Sequence, residues 1–130
     1  MRRIVWAISL FAVLVIGGSL GMLRYLTYAM DTVQNETLTL IELETIENGT
    51  YRGHYVNQRF SVTVDVTVHE GALQKVTLVR DVRFKDETVA AILFERMQRD
   101  NRHDVDVVSG ATLTSIAYQK AIENALKGAE

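Results

Sequence analysis

The sequence predicts an α+β protein: a small, mainly antiparallel sheet in the order β-β-β-α-β-α with two helices, preceded by one N-terminal transmembrane helix. Three observations carry this. An uncharged apolar run opens the chain, period-two alternation fills its middle, and helical periodicity dominates its last third. The expected organisation is a membrane anchor at 1–30, a stalk or first element at 31–47, and a folded domain at 48–130.

The opening run, Ile4 to Leu23, is 20 residues without a charge. At 1.5 Å per residue a helix of that length spans about 30 Å, the thickness of a bilayer's hydrocarbon core. Arg2 and Arg3 precede it, so the positive-inside rule keeps the N-terminus in the cytoplasm and puts the domain on the other side of the cell membrane, as a single-pass protein. Trp6 at one end and Tyr25 and Tyr28 at the other suit the two interfaces. A cleaved signal peptide is the competing reading; its apolar region is normally shorter, and Thr27-Tyr28-Ala29 is the best cleavage site on offer. Both readings export the domain. Gly17 and Gly21 have helix-packing spacing, or are simply small residues in a membrane helix.

Between 31 and 47, Leu38, Leu40, Ile41, Leu43 and Ile46 fit either a short helix or an edge strand. Asn48-Gly49 is a turn signal, after which Thr50, Tyr51, Tyr55 and Val56 suit a strand, with Gly53 at a bulge or a close approach. Phe60, Val62, Val64, Val66 and Val68 alternate with polar residues and define the clearest strand. Glu70-Gly71 turns the chain into a return strand with Val76, Leu78, Val82 and Phe84 on one face, broken by Arg80. Asp86 is the expected N-cap of a helix with Val89, Ile92, Leu93 and Met97 as its apolar stripe. A fourth strand is expected at Val105–Val108. A last helix follows with Ala117, Ile122, Ala125 and Leu126 inward and Gly128 as its stop.

Composition narrows the chemistry. With no Cys the chain forms no disulfide, thiolate metal site or thiol nucleophile. Beyond Met1–Arg24 it carries 11 basic against 16 acidic residues, a balance of −5, which speaks against nucleic acid as a partner. His103-Asp104-x-Asp106 has metal-ligating residue types but no second cluster, and no metal site is assigned. Ser109 lacks the Gly-x-Ser-x-Gly context of a hydrolase nucleophile.

"DVVSGATLTS", Asp106–Ser115, concentrates hydroxyls where the last helix begins: Ser109, Thr112, Thr114 and Ser115. Its plain reading is a strand-to-helix turn in which Gly110 permits the bend and a hydroxyl caps the helix. The same turn also presents free N–H groups and the positive end of the helix dipole, with Gly110 and Ala111 too small to obstruct an anion.

"DVVSGAT" resembles the flavinylation motif Asp-x-x-Ser/Thr-Gly-Ala-Thr of the FMN-binding domain family, which includes covalently flavinylated subunits of sodium-translocating NADH:quinone reductase and of Rnf-type electron-transfer complexes. "NGTYRG", "EGALQKV" and "LTSIAYQKAIENAL" resemble the family's opening, hairpin and final helix, so that the likeness extends from Asn48 to Leu126. The chain departs from the family pattern at His54–Asn57 and at Arg80–Phe84.

The resemblance implies a flavoprotein with FMN bound covalently through a phosphoester to Thr112. Asp106, Ser109, Gly110 and Ala111 then form the recognised turn, and Thr114 and Ser115 cap the helix or bond the phosphate. A separate FAD:protein FMN transferase makes the bond. The implied role is electron transport between a membrane oxidoreductase or quinone and an extracytoplasmic acceptor, so the partners are that transferase, membrane electron-transfer proteins and membrane lipid. Candidate flavin-ring neighbours are Tyr51, Tyr55, Phe84 and Tyr118, with Arg80, Arg83 or His103 to stabilise a reduced anionic flavin. A non-redox, membrane-tethered binding module and a flavin-dependent reductase of small substrates are the alternative readings.

Overall fold

The computed structural model describes residues 2–57, 60–80 and 87–129. The chain divides into two compact units, Met1–Thr32 and Val33–Glu130. The first is helical: α1 is Arg2–Gln34. Within it Trp6–Tyr28 is long and apolar enough to cross a membrane, and its large side chains stand open, Trp6 at 77% and Phe11 at 71% exposure.

The second unit contains β1 (Gly49–Asn57), β2 (Phe60–His69) and β3 (Ala72–Arg80) in one antiparallel sheet of order β1-β2-β3, then α2 (Glu87–Asp100) and α3 (Thr112–Lys127). Helix α3 packs on β1 and β2, and α2 on β3. The α+β architecture with two helices on a small antiparallel sheet is therefore as expected.

Strand β2 is the spine. Val62, Val64, Val66 and Val68 are buried against the helices, while Thr63, Asp65 and Thr67 face the other way. On that second face Arg52 holds Asp65 through two hydrogen bonds, 2.7 and 2.8 Å, and Thr50 meets Thr67 at 3.0 Å. Opposite, Leu93 and Met97 of α2 and Ala117, Tyr118, Ala121, Ile122, Ala125 and Leu126 of α3 complete the core. Each fully buried valine or leucine stabilises the fold by about 1.5–3 kcal/mol relative to exposure.

β3 does not keep one parity. Val68 pairs with Leu73 but Thr67 with Lys75, leaving Gln74 as an extra residue; Val64 pairs with Leu78 but Thr63 with Arg80, leaving Val79 as another. Each bulge flips the faces. The first brings both Leu73 and Val76 inward, and the second turns Arg80 onto the polar face with Thr63. This explains why Arg80 interrupts the apolar pattern. Val82, Phe84 and the expected cap Asp86 lie outside the described residues.

Gly53 is a close approach. A methyl group there would lie 2.1 Å from the Ala121 carbonyl oxygen and 2.3 Å from the Ala125 nitrogen, so β1 and α3 cross backbone to backbone at that point.

Two segments differ from expectation. Residues 36–42 form neither helix nor strand, and only a single 3-10 turn follows at Leu43–Thr45. The segment is fastened by side chains instead: Lys120 donates to the Thr37 carbonyl at 2.7 Å, and the His103 ring nitrogen Nε2 meets the Thr39 carbonyl at 2.8 Å. The fourth strand expected at Val105–Val108 is not formed either. Side chains from both helices occupy its backbone groups.

Candidate functional site

The turn before α3 is built from Val108 to Ala111. The Ala111 N–H donates to the Val108 carbonyl at 2.9 Å, and Gly110 has φ +80°. A positive φ at the third residue of such a turn is the type II geometry, and glycine adopts it without steric cost. Among the described residues nothing lies within 4 Å of the place a Gly110 side chain would occupy, so that side of the turn is open to them.

Helix α3 then starts without a capping side chain. Ala111 is at the N-cap position with φ −131° and ψ 36°, and its carbonyl accepts the Ser115 N–H at 2.9 Å. The expected hydroxyl cap is therefore not there. The Ser115 hydroxyl is fully buried and accepts the Val108 N–H at 3.0 Å, tying the helix's first turn back to the loop. The N–H groups of Thr112, Leu113 and Thr114 are the ones a helix start leaves without intrahelical partners.

Thr112, the first residue of α3, is exposed, and its hydroxyl makes no hydrogen bond among the described residues. Ser109 and Gly110 are exposed beside it, Ala111 and Thr114 half-buried, and Asp106 exposed upstream. The motif thus occupies one continuous, solvent-facing loop and helix start.

Upstream of the turn, three side chains support residues 105–108. Gln119 of α3 donates to the Val105 carbonyl. Arg96 of α2 donates through Nη1 to the Asp106 carbonyl at 2.9 Å and the Val107 carbonyl at 3.4 Å. Ser115 takes the Val108 N–H. A strand would need neighbouring backbone for these groups; here side chains satisfy them. Sequence reasoning missed Arg96 and Gln119. Gln119 carried a signal, because a polar residue inside the apolar stripe of α3 demands a buried partner. Arg96 carried none, since its contacts lie ten and eleven residues away.

Of the expected ring neighbours that are described, Tyr118 and His103 are sealed in the core and Tyr51 and Tyr55 lie on β1. Tyr51 and Tyr55 flank Gly53, which meets α3 at Ala121–Ala125. Thr112 is nine residues before Ala121, about 14 Å along the helix. Tyr118 is fully buried, in tilted contact with Phe94 at 5.8 Å between ring centres. His103 is buried on the Thr39 carbonyl, and Lys127 at the far end of α3 bonds the same Thr39. Phe84 and Arg83 lie outside the described residues. Arg102 grips Asp104 at its carboxylate, and among the described residues no three His, Asp or Glu groups converge as a metal site. The hydrogen bond from Arg102 holds the Asp104 carboxyl below the usual carboxylate range.

An FMN-binding domain matches residues 29–127, and the chain belongs to that family. No curated protein and no solved structure matches it. The residues present fit a phosphate ester at Thr112. Among the described residues the hydroxyl is exposed and unbonded and the turn beside it is open, and three helix-start N–H groups add the positive dipole end.

Proposed function

We propose that this chain is a membrane-anchored electron carrier with FMN linked through a phosphoester to the Thr112 hydroxyl. In that reading it passes electrons between a membrane oxidoreductase or quinone and an acceptor on the far side of the membrane. The observation that carries it is the exposed Thr112 hydroxyl, unbonded among the described residues, at an uncapped helix start inside a family-matched domain.

Loading requires FAD and a separate transferase. The Thr112 oxygen bonds to the FMN-side phosphorus as the bridging P–O bond breaks, and AMP leaves with the bridging oxygen. The hydroxyl proton passes to a base, and Asp106 is this chain's candidate for that role. The open turn gives the transferase access, and the α3 N-terminus offsets the negative charge of the finished diester. Once bound, FMN supplies one- and two-electron transfer. A covalent link also retains a soluble cofactor outside the cytoplasm, where Arg2 and Arg3 ahead of an apolar helix direct the domain.

The test is the intact mass of the protein from cells with an active flavin transferase, beside Thr112→Ala. The wild type is expected to gain the mass of FMN less one water, and the variant none. An unmodified wild type, with the transferase active on a control acceptor, overturns the covalent reading in favour of a non-redox binding module.

A further inference from the structure

We propose that Arg96 is a positioning residue for the loading of Thr112, an inference that rests on the flavoprotein reading above. Among the described residues, 105–108 pair with no strand, and three side chains bond their backbone upstream of the turn. Two of the three supports, Gln119 and Ser115, come from α3, the helix that also begins with Thr112. Arg96 is the one support from α2. Leu93 and Met97, both fully buried, fix α2 against the core on either side of it.

One guanidinium nitrogen spans two successive carbonyls, Asp106 at 2.9 Å and Val107 at 3.4 Å. Hydrogen bonds from a cation are stronger than those between neutral groups. The guanidinium therefore holds these two successive peptide units in place. The Asp106 main chain is the point from which its carboxylate is aimed, and Val107 leads directly into the turn. Fixing both to α2 sets Asp106 and the turn relative to the rest of the domain. Such a residue acts on the reaction without touching the reacting atoms, by holding the acceptor loop in the form the transferase must engage.

The experiment uses the full chain, purified transferase and FAD, with modification followed by intact mass. Arg96→Ala is expected to lower the maximal rate of modification about tenfold or more, with the KM for FAD unchanged. Arg96→Lys, which keeps one charged donor, is expected to recover part of that rate. Hydrogen exchange on unmodified protein is expected to quicken at Val107–Thr112 in Arg96→Ala and not in Arg99→Ala, whose side chain bonds Asp100 instead. If Arg96→Ala does not fold, Arg96→Gln takes its place in both assays. A wild-type rate and wild-type exchange in these variants overturn the role of Arg96 while leaving Thr112 as the acceptor. A wild type that is never modified overturns the Thr112 reading itself, and this inference with it.

Discussion

Gly53 of β1 and Ala121 of α3 meet with no room for a side chain: a methyl group at residue 53 would stand 2.1 Å from the Ala121 carbonyl oxygen. The obstacle is backbone on both sides, so no rotamer change relieves it. Gly53→Ala must push α3 off the sheet, and is expected to cost about 3 kcal/mol or more. Thermal unfolding checks this, with a fall of about 10 °C or more expected for a domain of this size. A melting temperature within about 2 °C of wild type would show that the crossing is looser than described.

Glu123 is a buried carboxylate that receives hydrogen bonds from Lys127 and Lys120. Burial alone raises its pKa, but those two bonds, with the nearby lysine charge and the Thr39 backbone, outweigh it and leave the pKa lowered. A lowered native pKa stabilises the fold above the unfolded-state value, and the contribution disappears as pH falls through the native one. Glu123→Gln is therefore expected to be less stable than wild type at neutral pH, with the gap closing below about pH 4. Melting temperatures of both proteins across that range decide it; parallel curves would mean that Glu123 is not the group responsible.

Ser115 hides its hydroxyl under the motif loop, where it accepts the Val108 N–H. Ser115→Ala leaves that donor without its partner, a loss expected to cost about 1–3 kcal/mol. Its local signature is faster hydrogen exchange at Val108. An amide as protected in Ser115→Ala as in wild type would show that another acceptor takes over.

Strand β2 and helix α3 were legible in the sequence because each carries its own periodicity. Ten residues of strict alternation describe a half-buried strand whatever lies beside it. Ala117, Ile122, Ala125 and Leu126 mark one helix face in the same local way. The turn before Thr112 was equally legible, since Gly110 supplies the positive φ that a type II turn requires.

The Val105–Val108 segment reads as a strand for good local reasons, being rich in β-branched residues. A strand also needs a neighbour, and Arg96, Gln119 and Ser115 took the backbone groups first. No local pattern announces such contacts. The same holds for the bulges at Gln74 and Val79, which depend on how β3 registers with β2. His103, a plausible site residue by type, turned out to be a buried support for Thr39, 64 positions away.

By itself, then, the sequence determined the apolar helix, the main strand, the two helices of the domain and the place of Thr112 at a helix start. Each of these is written in spacing between near neighbours. Only the tertiary structure decided which side chains hold the loop before Thr112, which aromatic rings are sealed in the core, and where β3 changes face. Those depend on which distant groups come within hydrogen-bonding and packing distance, and that becomes definite only when the helices close over the sheet.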